Sequence, residues 1–199
     1  YDSYYRRITP SSIAVKHGEA FFVEYEPVVK QEEIKKVYEG FKKLHKNIRQ
    51  NFTRAFLSEE DIYLELFLYI QEGFKKVSRV FDPNIHFVKT VEESAKRCIA
   101  EAHKIKGYIR FEESDGGLLF AKIAPKHDVL PLIGAFFKAR LGGEEFVIYD
   151  AKRKKALFGN DLSIKPIVMI QEPMLSDDEL MFKKAWATFF DAIAIKERE

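Results

Sequence analysis

One cysteine, one tryptophan and three methionines stand in a chain of 199 residues. A lone Cys98 can close no internal disulfide and build no Cys-only zinc or iron–sulfur site. It agrees with a reducing, cytoplasmic setting. Long apolar runs are missing as well. The most apolar stretch, 62–70, carries Glu65, and it is far shorter than the roughly 18 residues of a membrane span, so no membrane partner is expected. The opening Tyr1-Asp2-Ser3-Tyr4-Tyr5-Arg6-Arg7 has no apolar core of a signal peptide. Neither sign of charge dominates: Lys+Arg 33 against Asp+Glu 31 gives +2, too little for a global field that draws in or repels nucleic acid. GxxxxGK[ST], GxGxxG, HExxH, CxxC and GxSxG are all absent, which removes P-loop, dinucleotide, zinc-protease, thiol-redox and α/β-hydrolase readings. None of the five histidines pairs with another His or with Cys at a metal spacing. No metal and no cofactor are expected in the chain itself.

What is present is globular. Hydrophobic residues are 46% and charged residues 32%, with Phe 18, enough for a large core and unlike a disordered, collagen-like or low-complexity chain. A stretch over 19–29 reads as a strand, with Pro27 pushing it toward an edge. From Lys30 onward Ile34, Val37, Tyr38, Phe41, Leu44 and Ile48 recur at helical spacing. A second helix is expected to open at Ser58, with Glu59, Glu60 and Asp61 at its positive end, and to be well buried. Thr90-Val91-Glu92-Glu93 reads as the capping box of a third helix, striped by Val91, Ala95, Cys98, Ile99, Ala102 and Ile105 and stopped at Gly107.

The period then changes to two. Residues 108–112 read as a strand, 114–117 as a hairpin turn, and 118–124 as the return strand. Asp128 suits the cap of a fourth helix, with Pro131 in its first turn and Gly142-Gly143 at its end. Segments 146–150 and 155–158 read as a second hairpin around Lys152-Arg153-Lys154, and 164–170 as an edge strand holding Pro166. Ser176-Asp177-Asp178-Glu179 caps a last helix whose inward stripe includes Phe182, Ala185, Trp186, Phe189, Phe190 and Ile193. The expected class is α+β: an antiparallel sheet built from two hairpins, with helices packed on it, plus an N-terminal helical portion. The expected division is 1–75, mostly helical, and 76–199, helix-hairpin-helix-hairpin-helix, in one compact unit.

Several residues admit both a structural and a functional role. His103, Lys104 and Lys106 at a helix C-terminus complement its dipole, or, with Arg110, contact an anion. His127 and Asp128 are a helix cap, or an acid/base pair; His103, His127 and Asp128 are the candidate catalytic groups. Lys152, Arg153, Lys154 and Lys155 are a solvated turn, or a mobile cationic tip that meets phosphates. The nucleic-acid-binding candidates are thus Lys104, Lys106, Arg110, Lys152, Arg153, Lys154 and Lys155. Residues 30–56 and 75–110 are locally basic, while 57–72 holds Glu59, Glu60, Asp61, Glu65 and Glu72 without a Lys or Arg.

The pieces Ala102-His103-Lys104-x-Lys106-Gly107-x-x-Arg110-Phe111, Gly117-x-Leu119-Phe120-Ala121-x-Ile123-x-Pro125 and His127-Asp128-Val129-Leu130-Pro131-Leu132 carry a resemblance. So do Val147-Ile148-Tyr149-Asp150-x-x-Arg153, Trp186-x-x-Phe189-Phe190 and Ala192-Ile193-Ala194-Ile195-x-Glu197-Arg198. Together they resemble a bacterial family assigned to DNA metabolism and otherwise described as a domain of unknown function. The resemblance implies a neighbouring radical SAM protein assigned to DNA modification or repair, and in some members fusion to a uracil-DNA-glycosylase-like domain. It carries no catalytic residues. The expected function is a DNA-metabolism accessory protein that binds nucleic acid, a radical SAM partner, or both. The alternatives are an enzyme acting on DNA or a nucleotide through His/Asp acid–base groups, and a protein–protein adaptor using the acidic stretch.

Overall fold

The computed structural model describes Pro10, Ile13 and residues 30–114, 116–167, 174–181 and 183–184. The strand expected over 19–29, the part of the edge strand beyond 167, and the inward stripe from Phe182 onward lie outside the described residues. The chain divides into two compact units between Ala100 and Glu101.

The described part of the first unit is helical. It contains α1 (Gln31–Lys43), α2 (Lys46–Phe56), α3 (Tyr63–Lys75), a 3-10 turn (Val77–Phe81) and the first turns of α4 (His86–Tyr108). The apolar stripe from Ile34 to Ile48 does not form one helix. The chain turns extended at Leu44, and His45 caps α2 by accepting the Asn47 N–H on Nδ1 at 3.3 Å. Leu44 and Ile48 are then both buried, in one apolar cluster with Ala55, Leu66, Tyr69, Val80, Val88, Val91 and Ala95. Gly73 lets α3 come close, because a Cβ there would meet Ile48 and Leu44 at 3.3–3.4 Å.

Two expected helix starts move. α3 opens at Tyr63, not Ser58. Ser58 is buried and its hydroxyl donates to the Ala55 carbonyl and accepts from Ser94 Oγ, each at 2.6 Å. α3 is also not buried all round: Leu66, Tyr69 and Gly73 are buried, and Phe74 is exposed. α4 begins at His86, a turn before the Thr90 box. The extra turn buries Val88, and Thr90 satisfies its hydroxyl on the His86 carbonyl at 3.0 Å. Gly107 lies inside the last turn of α4, which runs on through Tyr108.

The second unit holds the end of α4, a five-stranded sheet and α5 (Leu130–Leu141). The strands are β1 (Glu112–Glu113), β2 (Leu119–Ile123), β3 (Phe146–Asp150), β4 (Lys155–Gly159) and β5 (Ile164–Ile167), in spatial order β1-β2-β3-β4-β5. The class is α+β and the sheet is mostly antiparallel, with one correction. β2 and β3 run parallel, Leu119 opposite Phe146 and Ile123 opposite Asp150. The connection between them contains α5, as a parallel pair requires, since a two-residue turn cannot return the chain to the same end. β1 is also much shorter than the strand expected over 108–112, because helix continues to Tyr108. β5 is the outer strand, and Pro166 stands there without a ladder N–H to donate.

Alternation assigns the two faces of the sheet. Phe146, Ile148, Leu157 and Ala121 share the face under α5, where Gly134 sits so close that a Cβ would come 2.6 Å from Leu157. Phe111 packs edge-on against Phe137 of α5 at 5.2 Å and against Phe146 at 6.0 Å. Phe120, Val147 and Ala156 form a second cluster on the opposite face. The Phe146 ring covers Gly159 across the β3–β4 pair, in space that a Cβ at Gly159 would occupy. No described helix is long and apolar enough to cross a membrane.

Candidate functional site

At one end of the sheet, β3 finishes on Asp150, which is completely buried. An isolated buried carboxylate is costly, so its oxygens must be matched. Asp150 Oδ1 accepts the backbone N–H groups of Lys152 (3.0 Å) and Arg153 (3.2 Å), which bends the chain into the β3–β4 turn. Asp150 Oδ2 receives Arg153 Nη1 at 2.8 Å. Arg153 is held further by the carbonyls of Pro125 (Nη1, 3.2 Å) and Lys126 (Nη2, 2.6 Å). Its side chain is only 7% exposed. The planar guanidinium thus pins the 125–128 loop to the β3–β4 turn, a role that a point-charge ammonium would not fill.

The same loop is held from the other side by the last turns of α4. Glu101 accepts the N–H of Lys126 on Oε1 (2.7 Å) and of His127 on Oε2 (2.8 Å). The His127 ring is buried, with Nε2 4.0 Å from Glu101 Oε2. Asp128 does not cap α5, whose N-cap is Val129. Its Oδ2 takes Lys155 Nζ at 2.9 Å, and its Oδ1 is buried without a hydrogen bond. Lys152 Nζ reaches the Lys126 carbonyl at 2.9 Å.

Acidic and basic groups therefore separate by depth. Asp128 and Asp150 are buried and Glu101 is half-buried. Lys126, Lys152, Lys154 and Lys155 are exposed. Lys154 adopts a left-handed φ of 53°, which closes the turn into β4. The result is a rigid, outward-facing basic edge over a neutralised base.

The structure thus brings Lys152, Arg153, Lys154 and Lys155 together with His127 and Asp128. Arg153, however, is a buried fastener within this network. Sequence reasoning missed Glu101, Asp150 and Lys126. An Asp two and three residues before a Lys-Arg pair is a visible turn signal for Asp150; nothing local marks Glu101. His103 and Lys104 are exposed on α4, and Lys106 places Nζ 5.4 Å over the Phe136 ring. Arg110 follows α4 outside any strand and pairs with Glu179 at 2.8 Å. In the first unit, Glu60 receives Arg97 in a two-point contact (2.9 and 2.6 Å), and Glu72 pairs with Arg79 at 3.1 Å. Glu60 holds the Arg97 guanidinium above its ordinary pKa, chiefly through that hydrogen bond. Among the described residues no group of three or more His, Cys, Asp or Glu could hold a metal ion.

No curated protein and no solved structure matches the chain significantly. A family model described as a domain of unknown function, DUF4130, matches residues 60–199. That span is most of the chain and includes the whole 125–128 and 150–155 network, so the chain belongs to the DUF4130 family.

Proposed function

We propose that this protein is a nucleic-acid-binding accessory protein of DNA metabolism. The observation that carries the reading is the depth separation at the β3–β4 turn. Lys126, Lys152, Lys154 and Lys155 are exposed along one edge, while Asp128 and Asp150 beneath them are buried. Phosphate contacts need charge and reach, and a fixed turn lowers the entropy lost on forming them. The DNA setting and a radical SAM partner rest on the sequence resemblance, and the partner would supply its own cluster. The acid–base alternative is weaker on geometry: His127 is 3% exposed, which leaves its ring little access to a substrate. The adaptor alternative loses two of its acids, Glu60 and Glu72, to Arg97 and Arg79.

The test is fluorescence polarisation with labelled duplex and single-stranded DNA at low and physiological salt. The reading predicts binding whose logarithm falls linearly with the logarithm of salt concentration. Absence of binding at low salt would remove it.

A further inference from the structure

A second feature of the same unit bears on the form of nucleic acid. A cleft of about 270 Å³ opens where α4 ends, lined by Tyr108, Ile109, Arg110, Glu112, Lys122 and Ile123. It lies just under the range of about 300–1,000 Å³ of pockets for drug-sized ligands, a size for one base with its phosphate. Tyr108 is 67% exposed. That is unusual for a large ring, which ordinarily buries most of its area. Ile109 and Ile123 give the cleft an apolar wall, and Arg110 and Lys122 give it positive charge.

Among the described residues two acids of this region are in ion pairs. Glu112 is paired with Lys183 at 2.8 Å, and Glu179 with Arg110 at 2.8 Å. Arg110 is 43% exposed in its pair. Exposed ion pairs are worth little, so a phosphate can share the guanidinium at small cost. An exposed aromatic face beside cations is the combination that holds an unpaired base: stacking on the ring and a charged contact to the backbone. A paired base inside a duplex has no free face to offer.

From this juxtaposition we propose that the Tyr108–Arg110–Lys122 cleft binds one unpaired nucleotide of a single strand, its base stacked on Tyr108. The proposal rests on the nucleic-acid reading above and adds the preference for a single strand.

The experiment compares Tyr108→Ala, Tyr108→Phe and the unmodified chain for binding to a 12-residue thymidine DNA, a 12-residue uridine RNA and a 12-base-pair duplex. Tyr108 is exposed, so its truncation leaves the fold intact, which a thermal melt checks. Stacking of one base predicts roughly 5- to 100-fold weaker single-strand binding for Tyr108→Ala. Tyr108→Phe keeps the affinity, and duplex binding does not change. The DNA and RNA strands show which sugar the site prefers. Single-strand binding unaffected by Tyr108→Ala, with salt-sensitive duplex binding retained, overturns the cleft and spares the basic edge. An equal loss for duplex and single strand also overturns it. Loss of all binding by the unmodified chain removes both.

Discussion

The two units bury polar groups in different ways. The first hides a hydroxyl pair, Ser58 and Ser94, within an apolar cluster and leaves Arg97 half-exposed against Glu60. The second buries Asp150 and Arg153 together, with His127 and Asp128 beside them. A hydroxyl pair costs little to hide and fixes only local geometry. A buried ion pair gains little net stability over an apolar filling, yet losing one partner strands a charge. Its use here is positional: Arg153 ties two loops together and sets the outward lysines. The second unit therefore has more to lose from single substitutions, and it loses them where the proposed interface lies.

Substitutions graded by burial sharpen this comparison. Asp150→Ala has the largest expected effect, because it removes the carboxylate that balances the buried Arg153 charge and accepts two turn N–H groups. We expect a loss of about 3–5 kcal/mol, read by urea unfolding. Hydrogen exchange should show the loss in residues 119–159 with little change in 46–75. A uniform loss across both units would break the contrast. Ser58→Ala comes next, since the buried Ser94 hydroxyl loses the oxygen it donates to. About 1–3 kcal/mol is expected, and protection of α2 and α3 should fall. Glu60→Gln is expected to cost no more than about 1 kcal/mol, as for other exposed pairs, with Tm as the readout. A larger cost than that of Ser58→Ala would invert the ranking by burial.

Much of the second unit was legible from sequence for stated physical reasons. Gly142 ends α5 in a left-handed cap with φ 62°, and Pro131 sits in the first turn. The apolar segments 146–150 and 155–158 on either side of Lys152-Arg153-Lys154 gave β3 and β4, and Pro166 marked an edge strand. What could not be read depends on distant partners. The parallel β2–β3 pairing comes with the crossover through α5, and which strands come together is set by long-range packing that no local pattern encodes. The early start of α4 follows from burying Val88, and this outweighs the Thr90 box. At the candidate site, the Lys152–Lys155 run was visible as charge. Its rigidity was not, because Arg153 is bound to carbonyls at Pro125 and Lys126, far away in sequence. Ser58 looked like a cap for the same reason: it does accept the nearby Glu60 N–H, but its hydroxyl is buried against Ser94, 36 residues on.

The central claim is that the exposed lysines of the β3–β4 edge, and not the buried Arg153, meet phosphates. The most direct measurement is the salt dependence of DNA binding for the unmodified chain and for the Lys126→Ser, Lys152→Ser and Lys154→Ser variants, with folding checked by circular dichroism. Each substitution should weaken binding for every sequence alike and reduce the slope of log K against log salt by about one. A slope unchanged when all three lysines are replaced together would contradict the account.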